Sequence, residues 1–359
     1  MRHFPKTILV LAATAGFASA VDPVTSYTVP VGYVTLNVPA SADSTITPPL
    51  NRPPLYSGAS ISISSNDVGA TGLTANEFVT TKSYLKVTSG PLEGMFFPIS
   101  ANTTSIITVD PGATSLQDLG FVSGNTFKVI PYWTLDTLFP GGAGVGGTTD
   151  VENPNSYVFL TTYDGIEVNR ASDAAYFYAS AGEINSMPEG WYDLNDPFGS
   201  VIGDTAIAPT AQYIIRKDAS AATVTIEGEV PATKSNAEVA IGATPNDNHF
   251  GVPYPVDISL QESGLQSVIE AATDVENPPE YVFVFDDEGP GFNKPASFTY
   301  FYCGEGEINS MPPGWYDLND PFGDIVTAKV LKAGRCFFVR KAGGTPGTID
   351  WVAPLPYAP

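Results

Sequence analysis

The sequence predicts an all-β protein made of small antiparallel barrel or sandwich domains in tandem, two of them copies of one module. Three observations lead there. The stretch GEINSMPEGWYDLNDPFG at 182–199 returns as GEINSMPPGWYDLNDPFG at 306–323, with Glu189 against Pro313 as the one difference. The same spacing of 124 residues joins Asp150 to Asp274, Tyr157 to Tyr281, Tyr178 to Tyr302 and Arg216 to Arg340, so the offset holds over a domain-sized unit. Tyr, Phe, Val, Ile and Thr dominate between turn residues, while 34 Gly and 32 Pro among few Lys and Arg leave no long amphipathic helix. With 43% hydrophobic residues, a packed core is within reach.

At the start, Arg2 and Lys6 precede an apolar run at 7–18, and Ala18, Ser19 and Ala20 are the small residues a signal peptidase accepts. Residues 1–20 therefore read as a signal peptide, and the protein as secreted, periplasmic or displayed at the cell surface. No later stretch approaches the roughly 18 apolar residues a membrane-spanning helix needs, so no transmembrane anchor is expected. Removing Arg2 and Lys6 takes the net charge from -22 to -24. Such a surface repels nucleic acid and anionic lipid, which excludes both as expected partners.

A first β domain is expected over 21–141. YVTLNV at 33–38 reads as a strand, and PPLNRPP at 48–54 has too few backbone donors for a central one, so it reads as an edge or crossing loop. YLKV at 84–87, MFFPI at 95–99, SIITV at 105–109 and TFKVI at 126–130 follow with turn signals between them, the pattern of a small antiparallel barrel or sandwich. PYWTLDTLFP at 131–140 closes the domain. Together with the leader, VGYVTLNVPASADSTITPPLNRPP, YLKVTSGPLEGMFFPISANTTSIITVD and IPYWTLDTLFP resemble a family of uncharacterised secreted proteins from Verrucomicrobia-type bacteria. The resemblance covers this domain well and the repeats more loosely. It implies secretion and a β-rich fold, and it carries no activity or catalytic residues.

The Gly-rich run at 141–147 reads as a flexible hinge. The first repeat then spans 149–230, with strands at 157–160, 175–179, 213–216 and 223–226; the second of these is aromatic enough to be covered on both faces. Residues 231–272 read as a connector or insertion, and the second repeat as 273–359. Cys303 and Cys336, the only cysteines, both fall on expected strands of the second repeat. In an oxidising compartment they are expected to form a disulfide worth about 3 to 4 kcal/mol in the chain-entropy account. Two buried free thiols are the alternative.

Histidine scarcity excludes several chemistries. Once the leader is removed, His249 is the only imidazole, so no zinc enzyme with two or three His ligands fits, and its turn-rich setting reads as an exposed loop. The Gly run lacks the Lys-Ser/Thr of a phosphate-binding loop.

The repeated stretch offers two candidate sites. Glu183, Asp193, Asn195 and Asp196, and again Glu307, Asp317, Asn319 and Asp320, crowd oxygen-bearing side chains that would suit calcium. Asx turns before Pro197 and Pro321 account for the same residues without a metal. Trp191 with Tyr192, and Trp315 with Tyr316, would offer a sugar a stacking platform, or would plug each module's core with the indole N–H on a loop carbonyl. Glu183 with Asp193 and Glu307 with Asp317 could serve a glycosidase only at the 5 to 9.5 Å separation such pairs need.

The whole reads as an acidic, non-catalytic structural or interaction protein of the cell envelope or an extracellular assembly, requiring no cofactor. Its partner would be a cell-surface protein, a polysaccharide, or further copies of itself. The alternative is a carbohydrate-binding protein with two duplicated, calcium-stabilised sites, followed by a glycan-active hydrolase.

Overall fold

The computed structural model describes residues 30–148, 150–161, 167–169, 171–180, 187–209, 211–304 and 311–358. Two strands open it, β1 (Val31–Val38) and β2 (Ala42–Ile46). A group of seven follows: β3 (Tyr56–Ala59), β4 (Ser62–Ser64), β5 (Asp67–Gly69), β6 (Ser83–Val87), β7 (Phe96–Asn102), β8 (Ile106–Val109) and β9 (Thr126–Pro131), with the single-turn helix α1 (Glu77–Thr80) among them. Then come β10 (Trp133–Thr134), α2 (Leu135–Leu138), β11 (Gly147–Thr148), β12 (Tyr157–Thr161), β13 (Ala174–Ala179), β14 (Gly190–Asp193), β15 (Ala206–Ile207), β16 (Gln212–Lys217) and β17 (Ala222–Glu229). The chain continues through β18 (Ser235–Ile241), β19 (Asn246–Gly251), β20 (Tyr281–Val284), β21 (Phe298–Cys303), β22 (Gly314–Asp317), β23 (Cys336–Lys341) and β24 (Gly347–Ala353). The protein is nearly all-β, as the sequence predicts.

Strands β3 to β9 form one seven-stranded sheet in the order β3-β9-β6-β7-β8-β5-β4. Its inward side chains follow the two-residue period of a strand: Leu85 and Val87, Ile107 and Val109, Phe127 and Val129. Phe78, Leu116 and Phe121 cap this core from the helix and loops.

The first two strands do not join that sheet. β1 pairs along its whole length with β17, and β2 with β16, extending the sheet β11-β13-β12-β16-β2 with β14 beside β13. The later strands build the same arrangement: β18 pairs β24, and the second large sheet runs β19-β23-β20-β21-β22. Registers agree as well. Tyr157 faces Arg216 as Tyr281 faces Arg340, and Tyr178 faces Trp191 as Tyr302 faces Trp315.

Several expectations change accordingly. The span 231–272 is no mere connector, because it supplies β18 and β19. The span 21–141 is not one unit: β1, β2 and the residues Leu135, Leu138 and Phe139 pack into the first repeat's core with Val158, Trp191 and Ile215. The Gly-rich run is not a free hinge either. Gly142 is buried at φ +74, and a Cβ there would lie 2.7 Å from Tyr178 Cδ1, so glycine is required for the chain to pass this ring. The double cover expected for β13 does appear, with Tyr176 and Tyr178 in one core and Phe177 and Ala179 in another.

The expected disulfide does not form: Cys303 and Cys336 are both buried thiols. They sit on β21 and β23 with β20 between, which separates them by about 10 Å across the sheet alone. A disulfide needs Cα atoms within about 7 Å. Sequence spacing placed both on strands and said nothing about which strands pair.

Among the described residues, no helix is long and apolar enough to cross a membrane.

Candidate binding sites

The repeated stretch folds into the same turn twice. β14 and β22 carry Gly-Trp-Tyr-Asp, and all four aromatic rings point into cores. Trp191 and Trp315 are 0% exposed, and Tyr192 and Tyr316 are 1% exposed. Trp191 packs against Tyr178 at 5.5 Å and Phe139 at 5.9 Å; Trp315 packs against Tyr302 at 5.4 Å. Tyr192 stacks on Phe177 and Tyr316 on Phe301, and their hydroxyls donate to the carbonyls of Pro188 and Pro312. A sugar needs an open ring face, so the stacking platform expected at these residues is not available. The core-plug alternative describes them, with one correction: neither indole Nε1 has a hydrogen-bond partner among the described residues.

The oxygen-rich residues are turned into the loop itself. Asp193 Oδ1 accepts from the Asn195 N–H at 2.8 Å, and Asp317 Oδ1 from the Asn319 N–H at 2.9 Å, the Asx turn in both copies. Asp196 and Asp320 curl back over Gly199 and Gly323, where a Cβ would come within 2.4 Å of the Asp Oδ2. Among the described residues no three His, Cys, Asp or Glu side chains converge as a metal site. Glu183 and Glu307 lie outside the described residues, and with them the proposed carboxylate pairs. The one difference between the copies is also local: Tyr178 donates its hydroxyl to Glu189 at 2.5 Å, where the second copy has Pro313.

Phe198 and Phe322, in the Asp-Pro-Phe-Gly turns, are 59% and 64% exposed, flanked by exposed Asn195, Asp196, Asn319 and Asp320.

The two repeats clasp each other through the loops that have drifted most. On one side, Arg216 forks onto Asp43 with Nε to Oδ1 at 2.8 Å and Nη2 to Oδ2 at 2.7 Å. Asn293, from the other repeat, donates its N–H to Asp43 Oδ2 at 2.6 Å and accepts from Arg216 Nη2 at 2.7 Å. The other side mirrors this. Arg340 forks onto Asp247 at 2.7 and 2.8 Å, and Asn169, 124 residues before Asn293, donates its N–H to Asp247 Oδ2 at 2.9 Å and accepts from Arg340 Nη2 at 3.3 Å. Both asparagines hold φ near +50, a conformation Asn tolerates better than most residues. The carboxylate hydrogen bonds push both guanidinium pKa values up. The two aspartates stand 204 residues apart and the two arginines 124, because the seven-stranded sheet is inserted after β2.

Two clefts open along this seam. One, of about 540 Å³, lies between the repeats and is lined by Thr45, Arg216 and Asp287 among others. A second, of about 490 Å³, lies where the seven-stranded sheet meets both repeats. Thr161, Gln212 and His249 line both. His249 is not in an exposed loop: it sits in β19, half-buried, with its ring stacked on Phe338 at 3.9 Å. Its run Asn-Asp-Asn-His-Phe imitates a turn because Asn246 and Asn248 are buried, their side chains bonded to the backbone of Ala240 and Gly242.

Sequence reasoning found Arg216 and Arg340 through their spacing and missed Asp43, Asp247, Asn169, Asn293 and Gln212. The motif Asn-Arg at 169–170 against Asn-Lys at 293–294 was the available signal within the drifted loops. Comparison of the chain with protein-family models, with curated proteins and with solved structures gives no match in any of the three.

Proposed function

We propose that the protein is a non-catalytic interaction component of the cell envelope or an extracellular assembly, reached through its N-terminal leader, and that the paired Asp-Pro-Phe-Gly turns are its contact points. The observation that carries this reading is the exposure of Phe198 and Phe322 at the same place in both copies. An isolated exposed apolar residue is ordinary. Here the Trp, Tyr and first Asp of the duplicated turn each have a task in packing or turn geometry, while the phenylalanine recurs and is exposed in both copies. Burying one such ring on a partner contributes about 1.5 to 3 kcal/mol, and two tips on one rigid body add avidity without further contacts. The neighbouring carboxylates favour a neutral or basic partner surface. Placing carbohydrate recognition on the Trp-Tyr pairs finds no support in their burial.

Cosedimentation of the purified protein with isolated cell-envelope fragments tests the reading. Phe198→Ser or Phe322→Ser alone should weaken retention, and the double variant should lose it by more than the product of the two single losses, at unchanged melting temperature. Wild-type retention of the double variant would refute it.

A further inference from the structure

We infer that the cleft between the seven-stranded sheet and the two repeats is a binding site for a neutral saccharide, with Gln212 as its central polar contact. This site is separate from the Asp-Pro-Phe-Gly turns and does not depend on their role.

Gln212 opens β16 and is 1% exposed, yet neither its Oε1 nor its Nε2 has a hydrogen-bond partner among the described residues. Asn236 of β18, 6% exposed, lines the same cleft with its Oδ1 unpartnered. Leaving such a group unpaired costs about 1 to 3 kcal/mol, and folded proteins rarely do so. Three such atoms on two residues that line one cleft mark it as built for something other than packing.

The other half of the molecule shows that the fold does not demand this polarity. The residue 124 positions after Gln212 is Cys336, which is buried. The strand position that His249 holds opposite Phe338 is held by Thr45 opposite Ile214. Thr45 Oγ1 accepts from the Cys336 N–H at 3.0 Å and donates to Asp287 Oδ2 at 2.7 Å. The equivalent positions differ: Cys336 puts a buried thiol where Gln212 puts an unpartnered carboxamide.

The lining selects the ligand. Met95, Phe96, Pro98, Tyr213 and Phe250 supply apolar and aromatic wall. The carboxamides both donate and accept, as sugar hydroxyls do. Among the described residues no Lys or Arg lines the cleft, and exposed Asp110 and Glu238 edge it, which disfavours phosphate, sulfate and uronate. A volume of about 490 Å³ falls in the range of small-molecule sites.

Isothermal titration of the full secreted chain with cellohexaose, maltohexaose and chitohexaose tests the site, with tetragalacturonate and tetralysine as charged comparators. At least one neutral oligomer should bind saturably. Gln212→Leu should lower that affinity tenfold or more while melting at the same temperature or higher, because it removes unpaired buried groups. Ala208→Trp, at the exposed mouth, should block binding without touching Gln212, and it decides the matter should the leucine variant fail to fold. Phe198→Ser with Phe322→Ser should leave the affinity unchanged. Absence of binding by all three neutral oligomers, wild-type affinity in both cleft variants, or preference for a charged comparator would overturn the assignment.

Discussion

Replacing Asp247 with alanine removes the centre of one clasp, and the structure sets the size of the effect. The Asp247 side chain is 1% exposed and accepts from Arg340 Nε, Arg340 Nη2 and the Asn169 N–H. Removing one partner of a buried ion pair costs about 3 to 5 kcal/mol, because the remaining charge is left uncompensated. Arg340 keeps 27% side-chain exposure and its seat over the Phe283 ring at 4.8 Å, so part of its charge can rehydrate. The expected loss is therefore at the lower end, about 3 kcal/mol. Asp43→Ala should cost less, about 2 kcal/mol, since the Asp43 side chain is 13% exposed. Urea unfolding followed by tryptophan fluorescence reads both, with Trp315 and Trp351 buried in the second repeat's core. A double-mutant cycle of Asp247→Ala with Arg340→Ala isolates the pair and should show coupling of about 1 kcal/mol or more. A loss below about 0.5 kcal/mol for Asp247→Ala, the level of an ordinary surface substitution, would refute the account of the clasp.

Two further outcomes follow from buried groups. Thiol titration should find no reactive cysteine in the native protein and two in denaturant without reductant, since burial also pushes the Cys336 thiol pKa up; no thiol in denaturant would restore the disulfide. Burial also raises the pKa of Asp287 from its ordinary value, only partly offset by Arg335 and by the Thr45 hydrogen bonds. The folded state then holds a proton that the unfolded state has released, so this group's contribution is full below pH 3.8 and is lost as pH rises through the raised folded value. The difference in unfolding free energy between wild type and Asp287→Asn should accordingly change with pH across that window; a difference that stays constant would sink the claim.

The fold class was legible in the sequence because strand period and turn residues are local signals, and the double cover of β13 could be read from Tyr-Phe-Tyr alone. Pairing was not. β1 and β2 look like the start of the segment that follows them, yet Val31 faces Glu229 and Asp43 faces Arg216, contacts closed only after a whole inserted sheet. The cysteines fail for the same reason: each strand was correct and the strand between them was invisible. At the candidate sites, the sequence left Trp191 open between an exposed platform and a core plug and suggested an exposed loop for His249, because burial of a large ring or of an asparagine depends on what covers it. Phe198 carried no sequence signal beyond its repetition, and Gln212 carried none, because an unpartnered carboxamide is a property of its surroundings.

Retention and divergence between the copies divide along physical lines. GWYDLNDPFG is identical in the two copies, and its Trp, Tyr, Asp and Gly each meet a tight steric or hydrogen-bonding requirement inside one module that is the same in both. The loops around Asn169 and Asn293 differ in sequence yet meet the neighbour's Asp-Arg pair in the same way, through the asparagine and through one backbone carbonyl each, Glu167 O accepting from the Asp247 N–H and Gly291 O from the Asp43 N–H. Two identical chains related by symmetry would have to carry the same residue at both ends of such a joint. Within one chain the two ends are free to differ, as they do at Gln212 against Cys336 and at His249 against Thr45, while the two clasps keep the same Asp, Arg and Asn partners.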